Sequence, residues 1–113
     1  MPVFKYANMP VARPGPHMLR REAHSDHLML TVIDFVDGPS AAVPPHRHPH
    51  EQISYVVAGR VRFILGEGEG QTATLVAEGD VIVVPPDVPH AVETLTETAR
   101  LIDCFYPLRE DFL

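Results

Sequence analysis

A chain of 113 residues suits one domain with its own hydrophobic core, and 45% hydrophobic residues supply one without disulfide help. The single cysteine excludes an intramolecular bridge, and no apolar run is long enough to suggest a signal peptide or a membrane span, so the expectation is a soluble, cytoplasmic protein. Nine Lys+Arg against fifteen Asp+Glu, a formal charge of −6, exclude the clustered basic surface that nucleic acid requires.

The first sixteen residues, with Pro2, Pro10, Pro14 and Pro16, predict an extended arm that packs on its own sheet or exchanges onto a partner subunit. Beyond it, Pro and Gly recur too often for a helix of useful length, and short runs of period-two alternation predict strands. "MLRREAH" (18–24) reads as a mixed polar strand at an edge. "HLMLTVIDF" (27–35) places Met29, Thr31, Ile33 and Phe35 on one face and Leu28, Leu30, Val32 and Asp34 on the other. "QISYVVAG" and "RVRFILG", joined through Ala58-Gly59-Arg60, predict a hairpin with glycine at its turn. "GEGEGQ" (66–71) is a flexible turn before the strand "TATLVAEGD". "VIVVP" (81–85) reads as a buried strand, followed by strands "HAVETL" and "ARLIDCFYP" (99–107). Many short strands at regular spacing predict an all-β sandwich or closed barrel, a single domain over 1–113.

Chemistry concentrates in "PHRHPHEQ" (45–52). His46, His48, His50 and Gln52 share parity, so an extended chain presents them on one face, whereas Glu51 points outward. Neutral imidazoles and an amide oxygen together suit one divalent transition metal ion, Zn, Ni, Fe or Mn. The competing reading is a solvated histidine-rich loop. "GDVIVVPPDVPHAVET" (79–94) weighs against it by bringing His90 to the head of another strand. His17, His24 and His27 lack paired spacing and read as surface or strand-end residues.

These two segments resemble the cupin family, small β-barrels with two histidine-bearing motifs. The first motif is matched by His46, His48, Gln52 and Gly59, the second by Gly79, Pro85 and His90, with nineteen residues between Gly59 and Gly79. The resemblance covers residues 38–105. It implies a double-stranded β-helix (jelly-roll) barrel, a homodimer through the N-terminal strands, and His46, His48, Gln52 and His90 as metal ligands, with His50 outside the set. The chain departs from the family pattern at four places. Its leading glycine is displaced to Gly38, Asp87 replaces a turn glycine, Thr94 replaces an asparagine, and Gln52 stands where many cupins carry glutamate. Asp tolerates the left-handed backbone that such a turn requires. A neutral Gln leaves the ion's charge uncompensated and favours an anionic oxygen ligand.

The closing stretch "LIDCFYPLREDFL", with "HEQ" at 50–52, resembles the KdgF-type cupins, which act in pectin and alginate breakdown. Those proteins convert 4,5-unsaturated monouronates to the linear 4-deoxy-5-hexulose uronate. The resemblance implies active-site roles for Asp103, Phe105 and Arg109. Asp103 would move a proton, Arg109 would pair bidentately with the carboxylate of a small anionic sugar acid, and Phe105 would wall the pocket. Other readings stand beside these: Asp103 and Arg109 as a structural ion pair holding the tail, Phe105 as plain core, and Cys104, of opposite parity, as a small buried residue. For the whole chain the rivals are another cupin enzyme, a dioxygenase or lyase on a different small molecule, and a non-catalytic metal- or sugar-binding module.

Overall fold

Alternating apolar residues, broken every few positions by Gly and Pro, resolve into nine strands in the computed structural model, which describes residues 2–113. They are β1 (Ala12–Gly15), β2 (Met18–His24), β3 (Met29–Phe35), β4 (Glu51–Ala58), β5 (Arg60–Leu65), β6 (Thr72–Ala77), β7 (Val81–Val84), β8 (His90–Thr94) and β9 (Ala99–Tyr106). Two antiparallel sheets result, one of six strands in the order β1-β2-β3-β9-β4-β7 and one of three in the order β6-β5-β8. Phe35, Val56, Ile82, Val84 and Leu101 from the first sheet pack against Val61, Phe63 and Val76 from the second. This is the jelly-roll architecture, and each such side chain contributes roughly 1.5–3 kcal/mol of burial. Among the described residues, no helix is long and apolar enough to cross a membrane.

Strand β9 lies between β3 and β4 and sets the register for both. Thr31 and Ser54 stand opposite Asp103, and Met29 and Gln52 stand opposite Phe105. The face predicted for Met29, Thr31, Ile33 and Phe35 is the inward one. On β9 the inward face carries Leu101, Asp103 and Phe105, all buried.

Four local expectations change. The segments around Gly59 do not pair as a hairpin, because β4 joins the six-stranded sheet and β5 the other. Gly59 (φ +85°) turns the chain between sheets, and a Cβ there would sit 2.6 Å from the Thr98 carbonyl oxygen, so only glycine fits. Strand β7 is an edge strand with Val81 and Val83 exposed, so it is half-buried, whereas β2 is covered on its outer side by β1. Cys104 is exposed: it sits on the outer sheet face in a row with Leu30, Ile53 and Val83, because the inward parity belongs to its neighbours.

The N-terminal segment packs on its own sheet. Tyr6 donates from its hydroxyl to Asp34 Oδ2 (2.9 Å) and accepts from Arg21 and Arg100 (both 2.9 Å), while Arg100 Nε donates to Asp34 Oδ1 at 2.6 Å. Burial alone would raise the Asp34 pKa, but the hydrogen bonds from Arg100 and Tyr6 outweigh it and hold the carboxyl below its usual range. A depressed folded-state pKa means that this contribution is complete above the usual carboxylate pKa and is lost as pH falls through the folded value. Replacing Asp34 by Ala is expected to cost about 1 kcal/mol and to speed amide exchange at residues 4–9, leaving the barrel core protected. Hydrogen-exchange mass spectrometry checks this.

Candidate metal and substrate site

Two prolines, Pro44 and Pro45, hold the chain extended on its approach to β4, and the segment then meets the head of β8. His46 and His90 form an isolated antiparallel bridge, each donating its N–H to the other's carbonyl at 3.1 and 2.9 Å. The turn at Pro85–Val88 supports the pair from behind, with Asp87 N–H donating to the His48 carbonyl at 2.8 Å. Asp87 has φ +62°, the left-handed conformation that its sequence position calls for.

This brings three imidazoles together from segments more than forty residues apart. Ring centroids are 4.4 Å apart for His46–His90, 4.9 Å for His48–His90 and 6.2 Å for His46–His48. Phe63 stacks nearly parallel to His90 at 6.4 Å. The Nδ1 of His90 donates to the Val88 carbonyl at 2.9 Å, which leaves its Nε2 lone pair for a ligand bond. Burial lowers all three histidine pKa values, and Arg109 adds to the effect; His46 falls to about 4. All three rings are therefore neutral donors at pH 7.

Gln52 completes the set. His48 Nε2 lies 3.0 Å from Gln52 Oε1, while His48 Nδ1 lies 3.2 Å from the His50 carbonyl. A neutral imidazole has one N–H and here faces two acceptors, so in either tautomer one pair of lone pairs is opposed. Inverting the amide moves the conflict to Ser54, whose one hydroxyl proton is donated to Asp103 at 2.5 Å. A cation shared between a ring nitrogen and the amide oxygen removes the conflict. It is this donor chemistry that fits a divalent ion, rather than a closed coordination array. Among the described residues no three His, Cys, Asp or Glu side chains are already set around an ion position.

From Gln52 a hydrogen-bonded chain runs deeper, Gln52 Nε2 donating to Ser54 Oγ at 2.9 Å and Ser54 to Asp103. Burial raises the Asp103 pKa to about 6, against the opposing pull of the Ser54 hydrogen bond and Arg109. A buried carboxyl of that kind can hold or release a proton near neutrality. Phe105 packs edge-on against His48 at 5.6 Å, and Arg109 lies over Phe105 at 5.1 Å. Arg109 is buried, but its carboxylate partner is Asp111, not Asp103. Its Nε and Nη2 donate to the two Asp111 oxygens at 3.0 and 2.8 Å, which leaves the Nη1–Nη2 edge for a ligand. His50 packs edge-on against His48, with ring centroids 5.3 Å apart, and turns its Nε2 to the Leu108 carbonyl at 2.9 Å, fastening the C-terminal tail.

His46, Gln52, His90, Asp103, Phe105 and Arg109 line one cavity of about 370 Å³. Its remaining wall is mostly apolar, with Ile33, Phe63 and Leu101 among the lining residues. Ser54, Arg20 and Phe112 belong to this neighbourhood without having stood out in the sequence. Ser54 could have been suspected from its parity with Gln52. Arg20 and Phe112 depended on knowing which strands and tail meet.

Residues 35–105 match the cupin domain family. The pectin degradation protein KdgF of Dickeya dadantii (strain 3937) is 39% identical over 90 residues, covering 79% of this chain and 76% of that protein. The structure of KdgF from a Halomonas species superposes with a TM-score of 0.84 at 31% identity, covering 97% and 98% of the two chains. An RmlC-like cupin from Shewanella frigidimarina NCIMB 400 gives 0.84 at 30% identity, covering 97% and 94%. An oxalate decarboxylase of Bacillus subtilis shares the fold alone, at 22% identity, with a TM-score of 0.79 over 92% of this chain and 29% of that one.

The buried titrating groups give opposing pH dependences. The three histidines have lowered folded-state pKa values, so the unfolded chain binds more protons below about pH 6.5 and stability rises with pH there. Asp103, raised to about 6, contributes the opposite sign between its unfolded and folded values. Metal-free protein should therefore gain stability from pH 4.5 to 7 in urea denaturation. Asp103→Asn should steepen that gain, and His46→Gln should flatten it.

Proposed function

This chain belongs to the cupin family, and from that premise we propose that it opens 4,5-unsaturated uronate rings to the linear 4-deoxy-5-hexulose uronate, using one divalent ion held by His46, His48, Gln52 and His90. The observation that carries the reading is a buried carboxyl, Asp103, hydrogen bonded through Ser54 to Gln52 in a cavity that also holds His46, His90 and Arg109. The 39% identity to a pectin degradation protein over most of the chain supports the choice of substrate class.

The reaction is an isomerisation in which no atom is gained or lost. The C1–O5 bond of the cyclic hemiacetal breaks as the C1 hydroxyl loses its proton, giving an aldehyde at C1 and an enol at C5. The enol then becomes the C5 ketone as C4 takes up a proton. When bound, a divalent ion such as Zn, Ni, Fe or Mn supplies Lewis acidity toward the sugar oxygens on which negative charge develops. Asp103 moves the proton between oxygen and carbon, a role matched by a pKa of about 6. Arg109 offers its free edge to the substrate carboxylate, which lets a protein of net charge −6 accept an anion. Phe105 limits where the ring can lie. Assembly as a homodimer and residence in the cytoplasm belong to the same proposal and rest on the family resemblance and the lone cysteine.

The test follows loss of the C4=C5 ultraviolet absorbance of an unsaturated galacturonate against its spontaneous opening. Asp103→Asn is expected to slow turnover by about 10²-fold or more at unchanged metal content. Arg109→Ala should also slow it with metal retained, whereas His90→Ala should lose both metal and rate. Full activity in both the Asp103 and the Arg109 variant sinks the assigned roles.

A further inference from the structure

Arg20 lies on β2, opposite Ile33 of β3, and lines the same cavity as His46, Asp103 and Arg109. An arginine on the wall of a mostly apolar cavity is costly unless its charge and N–H groups are matched. Here they are matched only in part. Its Nε is buried without a hydrogen-bond partner. The nearest carboxylate oxygen, Glu22 Oε2, stands 3.4 Å from that nitrogen, and it too is buried with no hydrogen-bond partner. The guanidinium lies over the Phe112 ring, its carbon 3.7 Å from the ring centre. The same ring carries Arg109 at 4.2 Å. Two arginines, from β2 and from the tail, are thus fixed on one aromatic ring beside the cavity. The bidentate Nε–Nη2 edge of Arg109 is occupied by Asp111, whereas the Nε of Arg20 has no such bond.

We propose that Arg20 is a carboxylate-binding residue of this site, shared with Arg109, and that it selects sugar acids over neutral sugars. Phe112 holds its plane and limits the rotamer entropy lost on binding, and Glu22 partly screens its charge until a ligand carboxylate arrives. The inference rests on the sugar-acid reading for the identity of the ligand and does not require the ring-opening reaction.

Calorimetric titration of the metal-loaded protein with galacturonate and with galactose separates the two. Wild type is expected to bind galacturonate at least tenfold more tightly than galactose. Arg20→Ala should remove most of that preference, and Arg20→Lys should restore part of it. Glu22→Gln should tighten galacturonate binding, because it removes a competing carboxylate; a merely structural Arg20–Glu22 pair would give lower thermal stability and no tightening. With unsaturated galacturonate, Arg20→Ala should raise KM about tenfold with kcat within about threefold and metal content unchanged. Binding that follows this pattern in a protein without turnover supports Arg20 and removes the proposed reaction. Turnover with wild-type KM in Arg20→Ala, or a wild type that does not distinguish galacturonate from galactose, overturns the assignment.

Discussion

Two backbone hydrogen bonds between His46 and His90 join parts of the chain more than forty residues apart. Each residue is at once a structural bridge and the carrier of a clustered imidazole, so the bridge sets how closely the two rings approach. The Pro85–Val88 turn strengthens the arrangement, because Asp87 accepts a left-handed backbone and returns its N–H to His48. The hydrogen bonds that link the two segments therefore also position the imidazoles.

The electrostatics follow from where that bridge puts the side chains. Three imidazoles buried beside Arg109 resist protonation, and a neutral Gln in place of a carboxylate adds no negative charge. Proton-holding capacity is instead placed deeper, on Asp103, which the Ser54 hydroxyl ties to Gln52. The Gln52 amide and the Asp103 carboxyl are thus separated by one hydroxyl group. Rotation of the Gln52 amide is coupled to the hydrogen bonding of the acid, because Ser54 has a single proton to give.

The tail supplies what the sheets lack. His50 fastens Leu108, Asp111 orients Arg109, and Phe112 spreads over Phe105 edge to face at 5.9 Å while supporting two guanidinium groups. Strand faces build a mostly apolar cavity, and the two arginines bring positive charge to its wall. Asp111 and Glu22 partly offset those charges, so a small anion would meet the guanidinium edges they leave free, while the net surface charge is diffuse and screened by solvent.

Eight of the nine strand positions, the inward face of β3, the turn conformation of Asp87 and the identity of the clustered donors were legible in the sequence, whereas β1 read only as part of an extended arm. Each of these depends on local rules: side-chain parity, proline and glycine stereochemistry, and motif spacing. Parity states which residues share a face but not what that face meets. Hence the crossing of Gly59 between sheets, the exposure of Cys104, the edge position of β7, the Ser54–Asp103 contact, the pairing of Arg109 with Asp111 and the presence of Arg20 in the cavity emerged only with the tertiary structure. All six are set by long-range strand pairing and by the packing of a short tail. Most of them join residues whose partners lie far along the chain; Arg109 and Asp111 are two residues apart, but their pairing depends on how the tail packs.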